Sequence, residues 1–114
     1  MSTIAFGLFA GQPAPFLLPL AKLYGWRPKV IEVLADLDAG RVSHSTGQSI
    51  VVSRLDAPRG AYFILDGYHR AMEAIRRGER TIPAVLDVYV PRIERTGGAH
   101  ARFVAAKVRL VDMA

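Results

Sequence analysis

The chain has no cysteine among its 114 residues, which excludes disulfides, thiolate nucleophiles and cysteine–zinc centres together. Long hydrophobic runs are missing as well. Its apolar stretches are interrupted within a few residues, far short of the roughly 20 that a membrane-spanning helix needs. The opening Met1-Ser2-Thr3-Ile4-Ala5-Phe6-Gly7 lacks the basic flank and apolar core of an export signal, so a cytoplasmic location without membrane contact is expected. Acidic side chains are scarce, ten against fifteen lysines and arginines. His44 and His100 show no metal-ligand spacing, and no serine sits in a Gly-x-Ser-x-Gly elbow, so neither a protein-built metal centre nor a serine triad is expected.

What is present points to one folded unit. Apolar residues form 51% of the chain, which argues against disorder, and the length suits a single core over residues 1–114. The net charge is +5, and it is unevenly placed. Residues 1–40 balance three cations against three anions, whereas residues 41–114 carry twelve against seven. Arginine supplies twelve of the fifteen cations. Guanidinium grips phosphate in a two-pronged fashion that ammonium does not, so the composition leans toward polyanionic partners, nucleic acid among them.

Along the chain, residues 3–9 read as a short strand broken by Gly11-Gln12-Pro13-Ala14-Pro15, and residues 16–20 as extended. Val30, Val33, Leu34 and Leu37 recur with helical spacing, Pro28 suits the first turn, and Gly40 is a natural stop. A polar loop over 41–48 precedes the β-branched Ile50-Val51-Val52. Asp56-Ala57-Pro58-Arg59-Gly60 then forms the loop of a hairpin with residues 61–65. Residues 82–90 read as a further strand ended by Pro91, and residues 103–111 as a last strand from the alternation of Phe103, Ala105, Val108 and Leu110. The expectation is a compact α+β domain with a mixed sheet and two or three helices.

The densest information lies in Asp66-Gly67-Tyr68-His69-Arg70. An apolar run, Ala61-Tyr62-Phe63-Ile64-Leu65, leads directly into it, and Ala71-Met72-Glu73-Ala74-Ile75-Arg76-Arg77 continues it to Gly78. This is strand, tight turn, helix, with an imidazole and a guanidinium in the first helical turn. Backbone N–H groups there have no intrahelical partner and the helix dipole is positive, so the spot is suited to an anion. Gly67 permits both the turn and a close approach of phosphate to the backbone. Asp66 is read as the helix N-cap, with metal binding or proton acceptance as its alternatives. His69 is a donor to phosphate or a catalytic group. Arg70 is the main phosphate contact, set against an ion pair with Glu73 three residues on.

The stretch from Phe63 to Gly78, with Thr81-Ile82-Pro83-Ala84-Val85 after it, resembles the nucleotide-binding core of the ParB/sulfiredoxin-like superfamily, whose D-G-x-H-R motif lies between a strand and a helix. The likeness continues upstream in order, with Leu18-Pro19-Leu20-Ala21-Lys22-Leu23 as the opening strand, residues 30–37 as the first helix and residues 48–55 as the second strand. It covers about 16–90, leaving 91–114 as a strand extension. Tyr68 stands where sulfiredoxins hold their reactive cysteine, so that reaction is not implied. Residues 91–114 are too few for the helix-turn-helix of the partition proteins.

The resemblance implies a site in which Asp66 and His69 are the catalytic candidates. Gly67, Tyr68, His69 and Arg70 bind nucleotide phosphate, and Gln48 and Ser49 line its base or ribose side. It also implies a nucleoside triphosphate, ATP or CTP, with Mg²⁺, and phosphoryl transfer or hydrolysis. Glu32 and Asp36 are further acidic candidates without a place. Two rival expectations stand beside this one. In the first, the same cradle grips the backbone phosphates of a nucleic acid, as a binding or nuclease domain. In the second, the motif is structural and the domain is an interaction module.

Overall fold

The computed structural model describes residues 14–41 and 48–114; the strand expected over 3–9 and most of the 41–48 loop lie outside them. The elements run β1 (Phe16–Pro19), a 3-10 turn (Leu20–Lys22), β2 (Leu23–Trp26), α1 (Arg27–Asp38), β3 (Ile50–Arg54), β4 (Tyr62–Asp66), α2 (Tyr68–Arg76) and β5 (Thr81–Leu86). A second 3-10 turn (Ile93–Arg95), α3 (His100–Ala105), β6 (Lys107–Arg109) and α4 (Leu110–Met113) complete the chain. The six strands make one mixed sheet in the order β1-β5-β3-β4-β2-β6. This is the expected α+β class, with four helices among the described residues.

The sheet is covered on both faces. Val30 and Val33 of α1 and Ala71, Met72 and Ala74 of α2 join Leu18, Leu23, Ile50, Val52, Ile64, Ile82 and Leu110 in the main core. On the other side Leu55, Ala61, Phe63 and Ile93 form a smaller cluster, against which Trp26, Leu65 and Phe103 pack. Successive residues of β4 therefore face opposite cores: Ile64 the first, Phe63 and Leu65 the second. A strand buried on both sides has no polar face to display, which is why 61–65 reads as an unbroken apolar run.

Helix ends follow the glycines. Gly40 (φ +80°) ends α1, with Arg41 N–H donating to the Asp36 carbonyl at 2.8 Å. Gly78 (φ +80°) ends α2, with Glu79 N–H donating to the Ala74 carbonyl at 3.0 Å. Both are left-handed caps that any side chain would strain. Residues 56–60 do join β3 and β4 as an antiparallel hairpin.

Three sequence expectations need correction. The strand from residue 82 stops at Leu86, because Asp87 Oδ1 accepts from the N–H groups of Tyr89 (2.6 Å) and Val90 (2.8 Å) and turns the chain. The single opening strand is two strands, with the 3-10 turn Leu20–Lys22 between them. The last strand is largely helical. Residues 100–105 form α3, and only Lys107–Arg109 pairs with β2. Phe103 faces inward because its ring meets Trp26 edge-on at 4.8 Å, a contact that mimics strand alternation in the sequence.

Candidate functional site

β2 and β4 run parallel as neighbours, Leu23 beside Tyr62 and Tyr24 beside Phe63. Each passes at its carboxyl end straight into a helix, β2 into α1 and β4 into α2. Two helix N-termini consequently converge at the carboxyl ends of these strands, the place where open α/β sheets generally receive ligands. A cleft of about 690 Å³ opens there, lined by Trp26 and Lys29 from the first pair and by residues 63–70 from the second. Gln48, Ile93, His100 and Phe103 close its remaining walls.

The turn that aims α2 depends on Gly67. Its φ is +101°, and a Cβ there would stand 2.6 Å from Ile50 Cγ2 and 2.8 Å from Arg70 Nη2. Gly67 itself is the N-cap, and among the described residues no side chain caps the helix. Asp66 is therefore not the N-cap that the sequence suggests. It is the last residue of β4, its side chain is 79% exposed, and its carboxylate stands 3.9 Å from Arg70. Being glycine, this N-cap offers the first-turn N–H groups of α2 no side-chain acceptor.

Arg70 lies inward of them, its side chain only 14% exposed. Nη1 donates to Gln48 Oε1 at 3.2 Å and Nη2 to the Ser49 carbonyl at 3.4 Å. Its Nε is buried with no hydrogen-bond partner, alone in this among the described residues. Gln48 and Ser49 thus meet the motif as expected from their order, but as props for the guanidinium. Ser49 acts through its backbone and is not part of the cleft wall.

His69 lines the cleft and leans on α1, its Nε2 2.9 Å from Asp36 Oδ2. Asp36 also receives Arg41 (Nη2 to Oδ1, 2.8 Å). The hydrogen bond from His69, then that from Arg41, holds the Asp36 carboxyl below its ordinary range. An ionised carboxylate only accepts, so the shared proton resides on Nε2. The donor that a neutral His69 has is engaged, and Nδ1 is left with a lone pair. Glu32 points elsewhere, paired with Lys29 at 3.6 Å and 64% exposed.

Tyr68 braces the site. Its hydroxyl accepts from Trp26 N–H at 3.0 Å, tying the start of α2 to the end of β2, and burial pushes its phenol pKa up, with that hydrogen bond acting in the opposite direction. The fit is close: a Cβ on Gly25 would lie 2.8 Å from Tyr68 Cε2. Trp26 and Phe103 give the cleft an aromatic wall, with His100 edge-on to Phe103 at 6.3 Å. Sequence reasoning missed Trp26, Lys29, His100 and Phe103. A signal for the first two existed. Gly25-Trp26-Arg27-Pro28-Lys29 has the same grammar as Gly67-Tyr68-His69-Arg70: glycine, aromatic, then basic residue types opening a helix.

Among the described residues no group of three or more histidine or carboxylate side chains is placed to hold a metal ion, and no helix is long and apolar enough to cross a membrane. No family model matches the chain, and neither does any curated protein or solved structure.

Proposed function

We propose that the cleft receives the phosphate end of a nucleoside triphosphate or a related phosphorylated ligand, the role implied by the resemblance to the ParB/sulfiredoxin-like superfamily. Arg70 carries the reading. It is an enclosed guanidinium propped by two neutral oxygens, with an unpartnered Nε, beside the uncapped start of α2. The largely exposed Asp66 carboxylate, 3.9 Å away, offsets that charge only weakly, and an oxyanion in the cleft would complete it. Lys29, paired at 3.6 Å with the exposed Glu32, adds a second cation from the first turn of α1, and the Trp26–Phe103 wall offers a planar base an apolar surface.

If the ligand is turned over, His69 is the better-supported proton acceptor. Asp36 fixes Nε2–H and leaves the Nδ1 lone pair available. Asp66 is the one carboxylate among the described residues lining the cleft. That suits Mg²⁺ only in its usual manner with nucleotides, where one carboxylate, waters and the ligand's own phosphates supply the oxygens. Bound there, the ion would offset phosphate charge.

The test is a thermal-shift series with ATP, CTP and GTP and their diphosphates, with and without Mg²⁺. At about 100 times the Kd a binder should add ~2.7 kcal/mol of stability, a shift of several degrees for this size. Arg70→Ala should weaken that ligand by about 1.5–3 kcal/mol. A flat response across the series would reject the proposal, and an unchanged response in Arg70→Ala would leave the motif a structural role only.

A further inference from the structure

β4 has a second cationic end. At its amino end the hairpin loop and the second 3-10 turn enclose a hollow of about 460 Å³ lined by Arg54, Arg59, Arg92 and Arg95, with Asp56 and Tyr62. Asp56 holds two of the four: Arg92 Nη1 at 2.9 Å, and Arg95 through Nε at 3.2 Å and Nη2 at 3.3 Å. One carboxylate cannot neutralise two guanidinium groups. Arg54 and Arg59 are exposed and make no ion pair among the described residues. We infer that this hollow docks the phosphodiester backbone of a nucleic acid.

The choice of an extended polyanion over a small phosphate rests on Glu94. Its two carboxylate oxygens accept from the N–H groups of Asp56 (3.0 Å) and Ala57 (3.3 Å). These two main-chain donors of the loop are therefore occupied, which leaves a compact phosphate less of the backbone cradle that such ions prefer. Long guanidinium arms remain, four against Asp56 and Glu94, on an open face. They suit charges spread along a strand, bound chiefly by counterion release. Nothing in this inference depends on the cleft at the other end of β4.

The experiment is fluorescence anisotropy of a labelled DNA duplex between about 50 and 200 mM salt. It uses the whole chain, the double variant Arg54→Ala/Arg59→Ala and the charge-preserving Arg54→Lys/Arg59→Lys. The alanine pair should loosen binding several-fold and flatten the slope of log K against log salt by about 1.8, at ~0.9 per phosphate contact. The lysine pair should keep the slope, which separates charge from any folding defect. An unaltered slope in the alanine pair overturns the inference. So does loss of duplex binding on Arg70→Ala with the alanine pair unaffected, which would put the strand in the other cleft. Equal competition by pyrophosphate or by polyglutamate also overturns it, in favour of a small phosphate or an acidic polypeptide.

Discussion

The two ends of β4 are built from the same residue types and differ in what their carboxylates do. Each has a glycine at positive φ, Gly60 at the amino end and Gly67 at the carboxyl end. Each has an aspartate and at least one arginine. At the amino end Asp56 is clasped by two arginines and Glu94 occupies two of the loop's N–H groups. At the carboxyl end Asp66 is largely exposed and 3.9 Å from Arg70, no side chain among the described residues caps the helix start, and Arg70 hydrogen-bonds neutral oxygens. The lesson is that a cation's usefulness depends on whether nearby acids have already claimed the backbone donors around it. Charge counts alone do not separate the two ends.

The sharpest way to separate them is a matched pair of substitutions. Gly67→Ala combines a strained backbone with a Cβ 2.6 Å from Ile50, while Gly60→Ala meets nothing within 4 Å. Strain alone is worth about 1–2 kcal/mol. Gly67→Ala should therefore lose more than 2 kcal/mol, on the order of 10 °C in Tm, and Gly60→Ala clearly less, by thermal denaturation. Equal losses would mean that Gly67 serves only its turn.

Next in size is Tyr68→Phe, which removes the acceptor for Trp26 N–H and should cost about 1–2 kcal/mol. The phenol pKa is raised in the fold, so the neutral form is favoured. Its contribution is complete below about pH 10 and fades as pH climbs past that. Urea melts between neutral and alkaline pH should show the decline in the parent and a smaller one in the phenylalanine variant.

The smallest effect belongs to Asp36. Its folded pKa is lowered by His69 and Arg41, so its stabilising contribution is present above about pH 4 and is lost as pH falls below. Asp36→Asn should flatten the acid limb of the stability curve slightly. An unchanged limb would mean that the His69 contact contributes nothing to stability.

Much of this arrangement is legible in the amino-acid sequence, for physical reasons. The segment 61–78 is legible because its signals are local: an apolar run, a glycine where the backbone must be left-handed, a helical stripe and a second glycine. The convergence of Lys29, Trp26 and Arg70 is not, since it arises from the parallel pairing of β2 with β4, which no local pattern encodes. Asp36 shows the same limit. It looks like one more charge on a helix until α1 packs beside α2 and brings it to His69. In the tail, Phe103 and Ala105, and again Val108 and Leu110, are spaced like strand residues, although the chain is helical at Phe103 and extended at Val108.

β4, packed against side chains on both faces, is also a rigid strut that holds two positive hollows apart. Five residues of strand span roughly 16 Å, about twice the ~8 Å over which physiological salt screens a surface charge. Filling either hollow should leave the other's grip almost unchanged in ordinary buffer. In dilute salt, where screening reaches ~30 Å, occupancy at one tip should begin to weaken the pull at its opposite.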